Sequence, residues 1–414
     1  MNKIVQTEEE RRIKQRTKVY EKTCEEYCHE INVLKERTDY TPEFDYFLDL
    51  LACPLQPDQL RKRVGRPLIG LFCIQAPFEL FHAFGVHPIK LCSGSYSAQR
   101  LSAAYLPVLM CPMLKAYIGS MDFDAAIPSY YDATIVPTTC DWVVKMPEIV
   151  KEKIEHLHYL ELPHVKQNEK GQKRWVEEIY ALKLFLEQKT GNKLKRQELM
   201  SSMNAFMNVW RIFDELIELK RKNIISGIWF TAIANTFMFD DIDRWAKKLE
   251  LVVKKFQSIK PQKNPHKIFL AGSPVIFPNF KMLQLIEQAG MTVCADDLCS
   301  SERIFPGATV YDDPSEHGLL KALAERYHKA CICPTFADND RRINTILRIT
   351  ASHNINGIIF HVLKGCHPYD IESFTIEAKL KASGSKFLKI ETDYVKEDSQ
   401  NILTRLEAFK QTLK

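Results

Sequence analysis

The sequence has no run of about 18 apolar residues, which excludes a single helix crossing a membrane. Its first stretch, MNKIVQTEEERRIKQRTKVYEK, is densely charged and has no apolar centre of the kind a secretory leader needs. The chain is therefore expected in the cytoplasm. No G-x-x-x-x-G-K-[ST] loop is present, so ATP is not expected to bind that way. No G-x-G-x-x-G follows the first strand, and no G-x-S-x-G elbow offers a serine nucleophile. A basic face with interleaved aromatics is also missing, and the net charge of +5 is mild, so nucleic acid is not an expected partner. Local cysteine clusters of the structural-zinc or bacterial ferredoxin kind are absent too.

What is present is an ordinary globular composition over 414 residues, with 45% hydrophobic and 26% charged side chains. That is enough chain for two or three domains. It also holds 12 cysteines. A reducing compartment keeps thiols free, so disulfides are not the expected use. Metal or cluster ligation and plain burial remain.

Read in order, residues 1–64 form an N-terminal helical segment ending in a Pro-marked connector. Cys24 and Cys28 lie four apart on one helix face and are assigned to packing, as is Cys53. Residues 65–165 change character to strand–helix–strand alternation, the signature of a parallel sheet. PLIGLFCIQAPFELFHAFG is strand, turn and helix. HPIKLC is a second strand, and DATIVPTTCD a third. Residues 166–262 carry apolar positions at helical spacing and read as a helical insert, whose Met and aromatic residues belong to a core. Residues 263–414 repeat the first plan, from KIFLAGSPVIFPNFKMLQLIEQAG through MTVCADDLC to NGIIFHVLKGC, with KFLKIETDY and a closing helix after it.

The repeat places cysteines at matching points. Cys92 corresponds to Cys299 at the end of a second strand, and Cys140 to Cys366 at the end of a third. Cys111-Pro112 corresponds to Cys333-Pro334 at a helix entrance. In open α/β sheets, ligands gather at the carboxyl ends of strands. Opposed strand-end faces would line one interlobe cleft. Cysteine is also among the most buried residue types, which is the bland explanation for each thiol taken alone. Soft thiolates suit zinc, cuprous copper or iron–sulfur clusters. Single cysteines scattered over both lobes suit a centre assembled by the tertiary fold better than a local zinc clip. Among the cysteines of the two lobes weighed as ligands, the one close pair is Cys331-x-Cys333.

At these residues the sequence resembles the 2-hydroxyacyl-CoA dehydratase and benzoyl-CoA reductase superfamily. The likeness spans residues 65–414. It rests on GLFCIQAPFELFHAFGVHPIKLC, LPVLMCPMLKAYIG, TTCDWVVKMPE, NGIIFHVLKGCHPYDIES, and FLKIETDY with TRLEAF. The resemblance implies an α/β fold of two Rossmann-like lobes with parallel sheets, plus N-terminal helices and a helical insert. It implies a 4Fe–4S cubane on Cys111, Cys140 and Cys366. Cys73, Cys333, Cys299 and Cys92 match sites of the double-cubane cluster branch, in which one homodimeric chain replaces two different subunits. A double cubane needs about six cysteines, so the seven candidates overfill it. The resemblance further implies a separate ATP-hydrolysing iron–sulfur activator as electron donor, in keeping with the missing phosphate loop here.

Three readings follow. The first is a low-potential reductase of small molecules at a double cubane. In it His361 and His367, which flank Cys366, donate protons near pH 7, with Glu79 and His82 as further candidates. The second is a subunit of a 2-hydroxyacyl-CoA dehydratase, with a single cubane and ketyl radical chemistry on an acyl-CoA. The third is a non-enzymatic cluster or zinc protein.

Overall fold

The computed structural model describes residues 8–413, apart from 124–130, 153, 155, 265 and 306. The chain opens with helices α1 (Glu8–Lys35), α2 (Asp45–Leu51) and α3 (Pro57–Val64). The first lobe follows as β1 (Leu68–Leu71), α4 (Phe78–Ala83), β2 (His87–Lys90), α5 (Tyr96–Ala103), α6 (Pro112–Met121), β3 (Ala133–Pro137), α7 (Asp141–Val150) and β4 (Leu157–Leu160). Four helices come next: α8 (Glu169–Thr190), α9 (Arg196–Arg221), α10 (Gly227–Asn235) and α11 (Ile242–Gln257). The second lobe runs through β5 (Lys267–Gly272), α12 (Lys281–Gln288), β6 (Thr292–Asp296), α13 (Glu316–Lys329), α14 (Asp340–Ser352), β7 (Gly357–Leu363), α15 (His367–Ala382), β8 (Lys386–Thr392) and α16 (Ser399–Gln411).

Each lobe holds a four-stranded sheet, ordered β2-β1-β3-β4 and β6-β5-β7-β8. Every pairing is parallel. These are two Rossmann-like lobes built on one plan. In each, the chain first steps outward to one side and then crosses to the other, so a switch point falls between β1 and β3 and again between β5 and β7. The central strands β1, β3 and β7 are buried along their whole length. That is why they read as apolar runs rather than alternating ones. The edge strand β4 was not foreseen. Its Leu157-His158-Tyr159 stretch is only half-buried or exposed, which leaves no apolar run to read.

One continuous core joins the N-terminal helices, one face of each sheet and the four middle helices. α10 is apolar all round and buried, which suits a helix in the middle of a large core. Trp175, Trp229 and Trp245 are each at most 1% exposed there. The outer faces are covered separately, by α6 and α7 in the first lobe and by α14 and α15 in the second.

α1 straps the lobes together. Its Glu26 accepts bonds from Ser97 N (2.9 Å) and Ser95 Oγ (2.8 Å) in the first lobe. Its neighbour Glu30 accepts from Gln284 on α12, and Arg37 beyond them bonds Glu287 at 2.8 Å. Burial pushes the Glu30 carboxyl up to about 7, against the pull of Lys396 and Gln284. From its ordinary value of 4.5 up to about 7, the folded chain keeps a proton that the unfolded chain has lost. Stability therefore falls as pH rises through that window. Glu30→Gln keeps the acceptor oxygen and removes the charge. It should raise stability by up to about 3 kcal/mol near pH 8, with the gain vanishing toward pH 4.5. Denaturant unfolding across that pH range checks this, and a gain independent of pH would refute it.

The lobes also meet backbone to backbone. Gly94 N donates to Phe277 O at 3.2 Å, and a Cβ on Gly94 would lie 2.0 Å from Ile276 O. Gly365 has φ +74, and a Cβ there would lie 1.8 Å from Leu109 O. Any side chain at either position collides with backbone of the opposite lobe.

Candidate functional site

Three cysteines sit at helix entrances. Cys111 is the N-cap of α6, Cys140 of α7 and Cys366 of α15. Pro112 and Pro368 occupy first-turn positions where a missing N–H costs nothing. A helix start presents free N–H groups and a partial positive charge, which favours thiolate over thiol. The effect is visible in the bonds. Backbone N–H groups of Met113 and Leu114 reach Cys111, and those of Trp142 and Val143 reach Cys140. Cys111 and Cys366 meet each other across the lobes, and a hydrogen-bonding interaction between their sulfurs lowers the first and raises the second. Cys140 is close enough to both to repel their charge. The loop presenting Cys111 is fixed by buried Lys115, whose Nζ bonds Val108 O at 2.7 Å.

A second group forms from Cys73, just after β1, Cys299, just after β6, and Cys333 ahead of α14. Their charges couple: burial, then Cys333 and Cys299, push Cys73 well up, and burial pushes Cys333 to about 12. Cys92, after β2, feels both Cys299 and Cys111 and so stands between the groups. Each group draws sulfur from both lobes. In this dry, mutually repelling setting Cys73, Cys92, Cys140, Cys333 and Cys366 favour their protonated form. A bound cationic centre reverses that, because coordination strips the proton from a thiol. Among the described residues, no three His, Cys, Asp or Glu side chains converge as a lone metal ion requires. A cluster takes one ligand per iron and needs no such convergence.

With this geometry in place, likeness to known proteins becomes decisive. Residues 73–413 match the family model described as 2-hydroxyglutaryl-CoA dehydratase, D-component. The chain belongs to this family. Among the relatives of this dehydratase family, a putative dehydratase subunit, YjiM, of Escherichia coli K12 is 25% identical over 91% of this chain and 99% of its own length. The (R)-2-hydroxyglutaryl-CoA dehydratase subunit beta of Acidaminococcus fermentans is 23% identical over 85% and 94%. The (R)-phenyllactyl-CoA dehydratase beta subunit of Clostridium sporogenes is 21% identical over 85% and 93%. Among the described residues no helix is long and apolar enough to cross a membrane.

In this family member an interlobe cleft of about 690 Å³ opens beside Cys140, walled by Trp142, His164, Phe336, His367 and Lys379. Trp142 Nε1 donates to Gly365 O at 2.9 Å, and Thr335 donates to Thr139 O, so the lobes are cross-bonded at the cleft floor. The Trp142 and His367 rings lie 6.0 Å apart. His367 is exposed there.

The other expected proton donors stand elsewhere. His361 is buried in β7, with Nδ1 3.2 Å from Ser273 O and Nε2 unpartnered. Burial pushes it down to about 4, so at neutral pH it is an uncharged imidazole rather than the donor expected near pH 7. Ser273, in turn, bonds Cys366 and takes Leu363 N at 3.1 Å, so His361 supports the Cys366 turn from behind. Glu79 is fully buried on α4 and engaged by Arg326 and by Tyr327 Oη (2.8 Å). It ties α4 to α13 and does not reach the cysteines. His82 bonds Ser202 Oγ at 3.0 Å on α9.

Several residues at the site escaped the sequence reading. Cys331 joins the second group: it couples to Cys73 and Cys333, and its sulfur takes a bond from Gln75. Its spacing to Cys333 was the available signal. Buried Tyr394 couples to Cys111 and Cys92, and its hydroxyl has no partner. It lies inside the FLKIETDY motif. Arg303 faces Cys333 and Cys299, and nothing in the sequence marks it.

Proposed function

We propose that this chain is the iron–sulfur catalytic component of its family's chemistry, reducing small molecules at a double cubane. One observation carries the reading: two groups of cysteines, Cys111–Cys140–Cys366 and Cys73–Cys299–Cys333 with Cys331 beside it, each spanning both lobes, with Cys92 between them. The donor set fits. It is all thiolate, it has helix entrances behind three of its members, and the unpartnered Tyr394 hydroxyl and Arg303 Nη1 are spare donors for sulfur. When bound, such a cluster supplies electrons at low potential. The protein's own residues do the rest. The helix entrances hold the thiolates, Arg303 offsets their charge, and Trp142 and His367 bound the cleft in which a substrate is oriented and given a proton. The reading carries with it a separate ATP-hydrolysing iron–sulfur activator as the electron source, compatible with the lack of a phosphate loop in this sequence, and a homodimer of this chain.

A second reading is favoured by the relatives named as beta subunits: one subunit of a 2-hydroxyacyl-CoA dehydratase, carrying a single cubane and acting with a different chain. Anaerobic iron and acid-labile sulfide analysis separates the two. The double cubane gives about eight irons per chain and the single cubane about four. One zinc per chain with no sulfide overturns both.

A further inference from the structure

The cleft at Cys140 is not the only cavity reaching the cysteines. A second one, of about 310 Å³, lies against Cys331 and Gln75 on the far side of the second group. It shares no wall residue with the first. Its wall holds an unusual surplus of hydrogen-bonding capacity. Gln75 is 2% exposed; its Nε2 is spent on Cys331, while its Oε1 has no partner. Arg303 gives Nε to Asp297 O and Nη2 to Tyr369 Oη (2.6 Å), leaving Nη1 free. Arg221 bonds Glu218 and Glu302 and leaves Nε free.

The charges of this wall are unequal in a telling way. Of its four carboxylates, Asp296 and Glu302 are paired with Lys220 and Arg221, Asp297 with Arg342, and Asp214 lies in the field of Arg221. Arg303, by contrast, has no carboxylate in ion-pair contact among the described residues; its two bonds go to a carbonyl and a phenol. A buried guanidinium nitrogen left without a hydrogen-bond partner is expensive, and an anion at that free edge repays it. An oxyanion suits the free donors of Arg303 and Arg221, and a hydroxyl or protonated oxygen on it suits Gln75 Oε1.

We infer that this cavity is a binding site for a small oxyanion, separate from the Cys140 cleft and seated against the Cys73–Cys299–Cys333 side. It is defined by protein groups alone and does not depend on which metal centre the cysteines hold. The test is calorimetric titration of the full-length anaerobic protein with sulfate, repeated with acetate as a carboxylate probe. Saturable binding of either at one site per chain is expected. Arg303→Gln should weaken it by about tenfold or more, and Gln75→Leu should weaken it too. Lys379→Ala, in the other cleft, should leave it unchanged. Arg303→Lys, which keeps the charge but loses the planar fork, covers the case in which the glutamine variant does not fold. As a reading independent of variants, sulfate should slow alkylation of Cys331 as followed by mass spectrometry. Absence of saturable binding together with unprotected Cys331 overturns the site. So does loss of binding in Lys379→Ala with binding retained in Arg303→Gln; the spare nitrogen of Arg303 would then serve the thiolates alone.

Discussion

Serine at Cys366 should strip about half of the iron from the anaerobically purified protein while leaving its far-UV circular dichroism intact. Cys366 ends β7 and opens α15, where the Ser273 hydroxyl, Cys111 and the helix entrance all meet its sulfur. Serine keeps the shape and the hydrogen bonds but is a poor ligand for a soft metal. The side chain is only half-buried, so the exchange removes little packing. Cys73→Ser should remove a comparable share from the other group, and the double variant nearly all. Cys53→Ser is the control, because Cys53 is buried in a turn of the N-terminal segment with its thiol on Asp49 O. Full iron in Cys366→Ser would remove it from the ligand set. Equal loss from Cys53→Ser would mean that unfolding, not ligation, is being measured.

Removing Arg342 should cost about 3–5 kcal/mol of stability. Its side chain is completely buried on α14, bonded to Asp297 beyond β6 and to Glu372 on α15. It lies 5.4 Å from the Phe360 ring and 5.1 Å from the Tyr369 ring. Arg342→Met keeps much of the volume and leaves two carboxylates without their cation, and that unpaired charge is the source of the loss. Adding Asp297→Asn and Glu372→Gln should recover a large part of it. The same bonds fix the turns that present Cys299, Cys333 and Cys366, so chelators should draw metal from Arg342→Met faster than from the parent. Urea unfolding and timed chelation measure the two effects. A loss under about 1 kcal/mol would show that the network contributes little.

The two-lobed plan and the strand-end cysteines were legible because they are local. An apolar run, a Gly or Pro stop and one cysteine fit within a dozen residues, and the same order recurs in both halves. Which sulfurs meet was not legible, since Cys73 joins Cys299 and Cys333 only through the packing of one lobe on the other. Glu79 shows the same limit from the other side. Its partner Arg326 is 247 residues away, so a buried ion pair looked like a free carboxylate next to a cysteine. His361 misled for a different reason: proximity to Cys366 in sequence gave no sign that a fully covered strand would hold the ring neutral. Arg303 and Tyr394 belong to the site by position alone.

The glycine contacts have one more consequence. With Gly94 pressed on Phe277 and Gly365 on Leu109, the halves are riveted backbone to backbone on either side of the sulfurs. Opening the halves like a clamshell would break the Gly94–Phe277 and Trp142–Gly365 bonds and part both close contacts. Entry that leaves them intact runs by way of the cavities at Cys140 and Cys331, whose apertures then set the size of what reaches the sulfurs.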